Sequence, residues 1–170
     1  AEAQTWHIRC GLHMARRDAD AAIAAGRRCV ELAPSNPEMH VVLAEALIYA
    51  GQADEALARV RAAARLTPRS PGYYMVQRFE ALRWNGDLDE ALACARDSIA
   101  RSPELQIPRV NLVSVLMDLG HEGEAREAAR ELLALHPRFS VTAYGSGQYY
   151  IDPTHHDHVL GGLREAGLPD

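Results

Sequence analysis

Residues 37–71 read PEMHVVLAEALIYAGQADEALARVRAAARLTPRSP, and this stretch decides the fold. Asn36-Pro37 opens it, with a side chain suited to capping a helix placed just before a proline suited to the first turn. Leu43, Ala44 and Leu47 then recur at the spacing of one helical face. Gly51 interrupts the run, as a helix C-terminus requires, because glycine enters the left-handed conformation without a Cβ penalty. Ala56 begins a second apolar stripe, small enough to let two helix axes approach, and Pro68 closes the unit.

The pattern repeats in both directions. Pro34, Pro68, Pro103 and Pro137 lie 34, 35 and 34 residues apart, which divides the chain into units 3–36, 37–71, 72–105 and 106–139. Gly86 and Gly120 occupy the break of Gly51, while the first unit carries Arg17 there, so its turn is expected to close differently. Ala22, Ala91 and Ala125 take the column of Ala56, and Cys10, Phe79 and Val113 that of Ala44. Leu82, Leu112 and Leu116 continue the apolar seam. Ser70-Pro71 and Ser102-Pro103 are read as further helix starts, and Asp87 with Glu90 as a capping box. A fixed period of this length means that each unit buries its apolar face only against its neighbours. The expectation is an all-α solenoid, an alpha-alpha superhelix of four antiparallel helix pairs. Residues 140–170, with Phe139-Ser140 before them, would cap its open end, Asp152 starting a last helix and Gly167 stopping it.

Composition narrows the function classes. The 170 residues are 48% hydrophobic but only 6% aromatic, the profile of a helical protein cored by Ala and Leu. All 18 basic residues are Arg, which reads as a GC-rich bacterial coding sequence. They are interspersed with 23 acidic residues for a net charge of −5, with no basic stripe, so nucleic-acid binding is disfavoured. Cys10, Cys29 and Cys94 lack the spacing of a disulfide framework or a zinc site and read as reduced, buried thiols of a cytoplasmic protein. No run is long and apolar enough for a membrane span, no signal peptide opens the chain, and its start without Met reads as part of a longer protein.

Trp6, the Leu43-Ala44 pair, the glycine breaks, the recurring alanines and the closing prolines together resemble the tetratricopeptide repeat over residues 3–139. Arg9 and Arg78 depart from it where Leu is usual, as do Ala19, Ala53, Leu88 and Glu122 where a bulky aromatic is common. The tail, with Asp152-Pro153 and the terminal run Gly162-Leu163-Arg164-Glu165-Ala166-Gly167-Leu168-Pro169, is similar to the end of bacterial multidomain proteins that join a class III adenylate or guanylate cyclase domain to such repeats. That resemblance implies a regulatory region of a signalling protein whose catalytic part lies elsewhere, and no cyclase residue carries over.

In this register the first helix of each pair lines a concave groove for a protein or peptide ligand. Its wall would carry Glu45 and Tyr49, then Tyr73, Gln77, Glu80, Arg83 and Trp84, then Asn111 and Asp118. The aromatics are anchors of the kind enriched at interface hot spots, and Arg83 is a carboxylate partner. The competing reading is that Tyr73 and Trp84 only pack between helices. A second function class is homodimerisation through an uncovered N-terminal helix, with Trp6, Ile8 and Met14 on the dimer face. His155, His156 and His158 beside Asp157 are the one metal-like cluster, but only His155 and His158 share a helical face, so they read as solvent-exposed histidines and no metal or other cofactor is expected. No nucleophile elbow, phosphate loop or HExxH occurs, and the chain reads as non-enzymatic.

Overall fold

The computed structural model describes residues 2–67, 72–147 and 153–170, so Pro68, the Ser70-Pro71 start, Tyr149, Tyr150 and the Asp152 cap lie outside the described residues. Among the described residues there are ten helices and no strand. They are α1 (Glu2–Ala15), α2 (Ala19–Leu32), α3 (Pro37–Tyr49), α4 (Ala53–Leu66), α5 (Gly72–Trp84), α6 (Leu88–Arg101), α7 (Gln106–Asp118), α8 (Glu122–Leu135), α9 (Val141–Ser146) and α10 (Pro153–Glu165). They belong to two compact units, one holding α1–α5 and the other α6–α10.

In the first unit α1 pairs with α2 and α3 with α4, while α1, α3 and α5 pack side by side as an inner row. The turn after α1 closes as those after α3 and α7 do. Arg17 takes φ 57°, close to the φ 76° of Gly51. Both turns carry the same crossed pair of hydrogen bonds, Arg17 N–H to Met14 and Asp18 N–H to His13, against Gly51 to Ile48 and Gln52 to Leu47. The backbone bonds that end a helix are thus strong enough to hold a Cβ-bearing residue in the left-handed region. Asp18 and Asn36 cap α2 and α3 by accepting from the amides of Ala21 and Glu38 at 3.2 and 3.0 Å. Close approach also needs Gly26 on α2, where a Cβ would lie 3.0 Å from the Cα of Leu43. The unit's largest fully buried side chains include Met39, Leu43, Leu47, Phe79 and Leu82.

In the second unit α7 pairs with α8, α6 packs on α7, and α10 packs on α7 and α9. One expected helix start and one expected capping bond are corrected. Ser102 is the C-cap of α6, and α7 begins only at Gln106, so Pro103 sits in the connecting turn. Asp87 occupies the N-cap position of α6 without a side-chain capping bond. Gly167 does stop α10, at φ 96°. The chain end is then fixed by the amide of Val141 donating to the Pro169 carbonyl at 2.8 Å, while Asp170 takes hydrogen bonds from Arg164 and Thr142.

Candidate functional site

The repeat period lines up three columns on the inner helices. Met39, Val42 and Ala46 of α3 correspond to Tyr74, Gln77 and Ala81 of α5 and to Pro108, Asn111 and Val115 of α7. All nine are buried except Gln77, which is half-buried. Gln77 and Asn111, expected on an open groove wall, therefore belong to a packing column. Their α1 counterparts are Thr5, Ile8 and Leu12, and there Ile8 is 61% and Leu12 52% exposed. Met14, assigned to the same free face from sequence, is buried, because its position on α1 turns toward the core of the first unit. Trp6 is half-buried, with the Arg9 guanidinium 4.6 Å over its ring.

What the first unit leaves accessible on its inner row is narrower than sequence suggested. Glu80 and Arg83 are buried, and the Arg83 guanidinium lies 4.7 Å over the Trp84 indole, so it is not an accessible carboxylate clamp. Tyr73 is 51% exposed at the start of α5, its ring set edge-on against buried Tyr74 at 4.6 Å. Tyr74 packs with Val41 and Ala63, and burial followed by the neighbouring Tyr73 pushes its phenol upward. A rigid neighbour therefore presents the Tyr73 ring, which reduces the entropy lost when a ligand packs against it.

Glu45 and Tyr49, one turn apart on α3, are half-buried. Burial pushes the Glu45 carboxyl upward, and no described residue supplies it with a cation or a hydrogen bond. Its influence reaches Cys10, whose thiol is raised to about 12 by burial first and then by Cys29 and Glu45. Cys10 donates to the Ala22 carbonyl at 3.3 Å, as an inert core thiol. Near the start of α3, Glu38 lies 3.9 Å from His7 of α1. A cleft of about 510 Å³, not anticipated from sequence, opens between residues 51–55 and the pair Trp84 and Asn85. It joins a turn to the end of another helix, and no residue spacing announces such a meeting.

The remaining candidates sit in the second unit and are held by packing. Asn111 and Ser114 are buried, and Ser114 donates to the Val110 carbonyl at 3.0 Å. Asp118 faces α10, with His158 Nε2 2.8 Å from its Oδ1. His156 Nε2 lies 3.2 Å from the Gly145 carbonyl, so two of the three histidines join elements, while His158 remains exposed as expected. Among the described residues no group of three or more metal-ligating side chains converges.

Residues 13–78 match the tetratricopeptide repeat family. Solved structures with that fold align along most of the chain. A crystal structure of PilW, a widely conserved type IV pilus biogenesis factor, superposes with a TM-score of 0.75 at 17% identity, over 96% of this chain and 73% of PilW. A thermophilic tetratricopeptide-repeat protein of Thermus thermophilus gives 0.70 at 21% identity, over 96% and 86%. YrrB, described as a tetratricopeptide-repeat protein with an unusual peptide-binding site, gives 0.61 at 16% identity, over 92% and 80%. At these identities the likeness establishes the tetratricopeptide-repeat fold and nothing about ligands. No curated protein matches the sequence. No helix among the described residues is long and apolar enough to cross a membrane.

Proposed function

We propose that this chain is a non-catalytic interaction module that receives a protein or peptide segment bearing a basic side chain against the α3–α5 face of its first unit. The observation that carries the reading is Glu45, a carboxylate drawn into the inner row with its pKa raised and no internal cation. A half-buried carboxylate with no cation or hydrogen bond from a described residue is a candidate site for a partner outside the chain. Exposed Tyr73 supplies an aromatic contact on the same row, with Tyr49 a turn beyond Glu45. Peptide binding by YrrB is a precedent on the same fold. The test is fluorescence anisotropy of the 170-residue chain with a short labelled arginine-containing peptide and its glutamate counterpart. Binding of the arginine peptide alone, weakened about tenfold by Glu45→Gln and by Tyr73→Ala, is the expected result. Equal binding of both peptides, or indifference to both substitutions, would overturn it.

Assignment to the cytoplasmic regulatory region of a bacterial cyclase-type signalling protein belongs to the same proposal and rests on the sequence from Phe139 to Asp170. The reading frame upstream of residue 1 decides it: a class III cyclase domain there supports the assignment, and another domain removes it. A second reading, self-association, is favoured by exposed Ile8 and Leu12 on α1.

A further inference from the structure

We infer that α1 is a homodimer seam, on which a second copy of this chain packs its own α1 antiparallel. This rests on the self-association reading and specifies its geometry. The columns of Thr5, Ile8 and Leu12 are those that α3 and α7 bury fully and α5 buries nearly so, and in α1 no described helix covers them. Along the exposed stripe the residues run Thr5, Ile8, Leu12, Ala15, in the size order small, large, large, small. An antiparallel copy sets Ile8 against Leu12 of the second chain and Thr5 against its Ala15, so a two-fold axis near the level of residue 10 makes the stripe self-complementary.

Charge follows the same symmetry. Exposed Glu2, 3.9 Å from Arg28 of its own chain, stands at one end of the stripe and exposed Arg16, in the turn after α1, at the other, so antiparallel pairing brings each Glu2 toward the Arg16 of the second copy as a further cation. Parallel pairing would oppose like charges at both ends. Gly11 lies near the axis, and a Cβ built on it meets nothing within 4 Å, which leaves room for close approach. Arg9 would face its own copy across the axis, but its guanidinium is drawn back over Trp6. One helix per chain buries less than the roughly 1,200–2,000 Å² of a standard stable interface, so the dimer is weak and concentration-dependent.

Sedimentation equilibrium of the 170-residue chain across a wide concentration range tests this. Ile8→Glu lies at an exposed position, and circular dichroism of the variant is expected to match that of the parent chain. The expected results are a concentration-dependent dimer, weakened about tenfold or more by Ile8→Glu, weakened by Arg16→Glu alone, and restored when Glu2→Arg is added to Arg16→Glu. A dimer lost in Ile8→Glu but indifferent to the charge exchange overturns the antiparallel geometry while self-association stands. A dimer indifferent to Ile8→Glu overturns the α1 seam. A monomer at every concentration overturns self-association as well and leaves a helix preceding residue 1 as the occupant of the stripe.

Discussion

His158 Nε2 lies 2.8 Å from Asp118 Oδ1, tying α10 to the last turn of α7. The Asp118 side chain is only 11% exposed, so its oxygen lies beneath the histidine. This contact makes the C-terminal helix part of the second unit's packing. It also removes Asp118 from the accessible surface where a helical wheel alone had placed it.

Truncating that carboxylate should loosen the cap. Asp118→Ala is expected to lower unfolding stability by about 1–2 kcal/mol, the range for a partly buried hydrogen bond involving a charged group. Hydrogen exchange should accelerate in α10 while α1–α4 keep their protection. Unchanged exchange in α10 would show that apolar contacts such as Leu163 suffice to hold it.

Glu45 gives a pH prediction whose sign follows from its raised pKa. Between the ordinary carboxylate pKa and the higher folded value, the folded state binds more protons than the unfolded one, so stability falls as pH rises through that window. Glu45→Gln should therefore raise stability at pH 7 by about 0.5–1 kcal/mol. Near pH 4, below both pKa values, the gain should vanish. Urea denaturation of both proteins at the two pH values checks this, and an equal gain at both would assign the effect to packing.

Arg17 holds φ 57° in a turn where the next unit uses glycine. Arg17→Gly should stabilise the chain by about 0.5–1 kcal/mol through relief of the left-handed backbone, less the entropy that glycine adds to the unfolded state. A lower melting temperature in the variant would mean that the arginine side chain contributes more than its backbone conformation costs.

The helices were legible because their signals are local: apolar spacing, glycine at the break and Asn36 at a start. Where the local signal is ambiguous the reading slipped. Ser102-Pro103 resembles a helix start but ends one, since proline fits equally well in the turn that follows a helix. The candidate site was legible only in outline. A helical wheel places Gln77 and Asn111 on an inner helix, but it cannot tell an open flank from one pressed against a neighbour. That depends on contacts between units of the repeat. Glu45 and Tyr73 could be named from sequence, yet the missing cation beside one and the supporting ring of Tyr74 beneath the other are properties of the folded unit.

The column that runs from Ile8 through Val42 and Gln77 to Asn111 also bears on how such a chain can change length. An insertion or loss of one whole period recreates the same contacts at the junction, because the incoming helix carries a residue in each column. A change of other length inside a helix rotates the columns out of register there and opens a second uncovered stripe, whereas a connecting turn absorbs a residue, as the spacings of 34, 35 and 34 show. Viable changes in length should therefore fall in the connecting turns or come as whole helix pairs, and not within a helix.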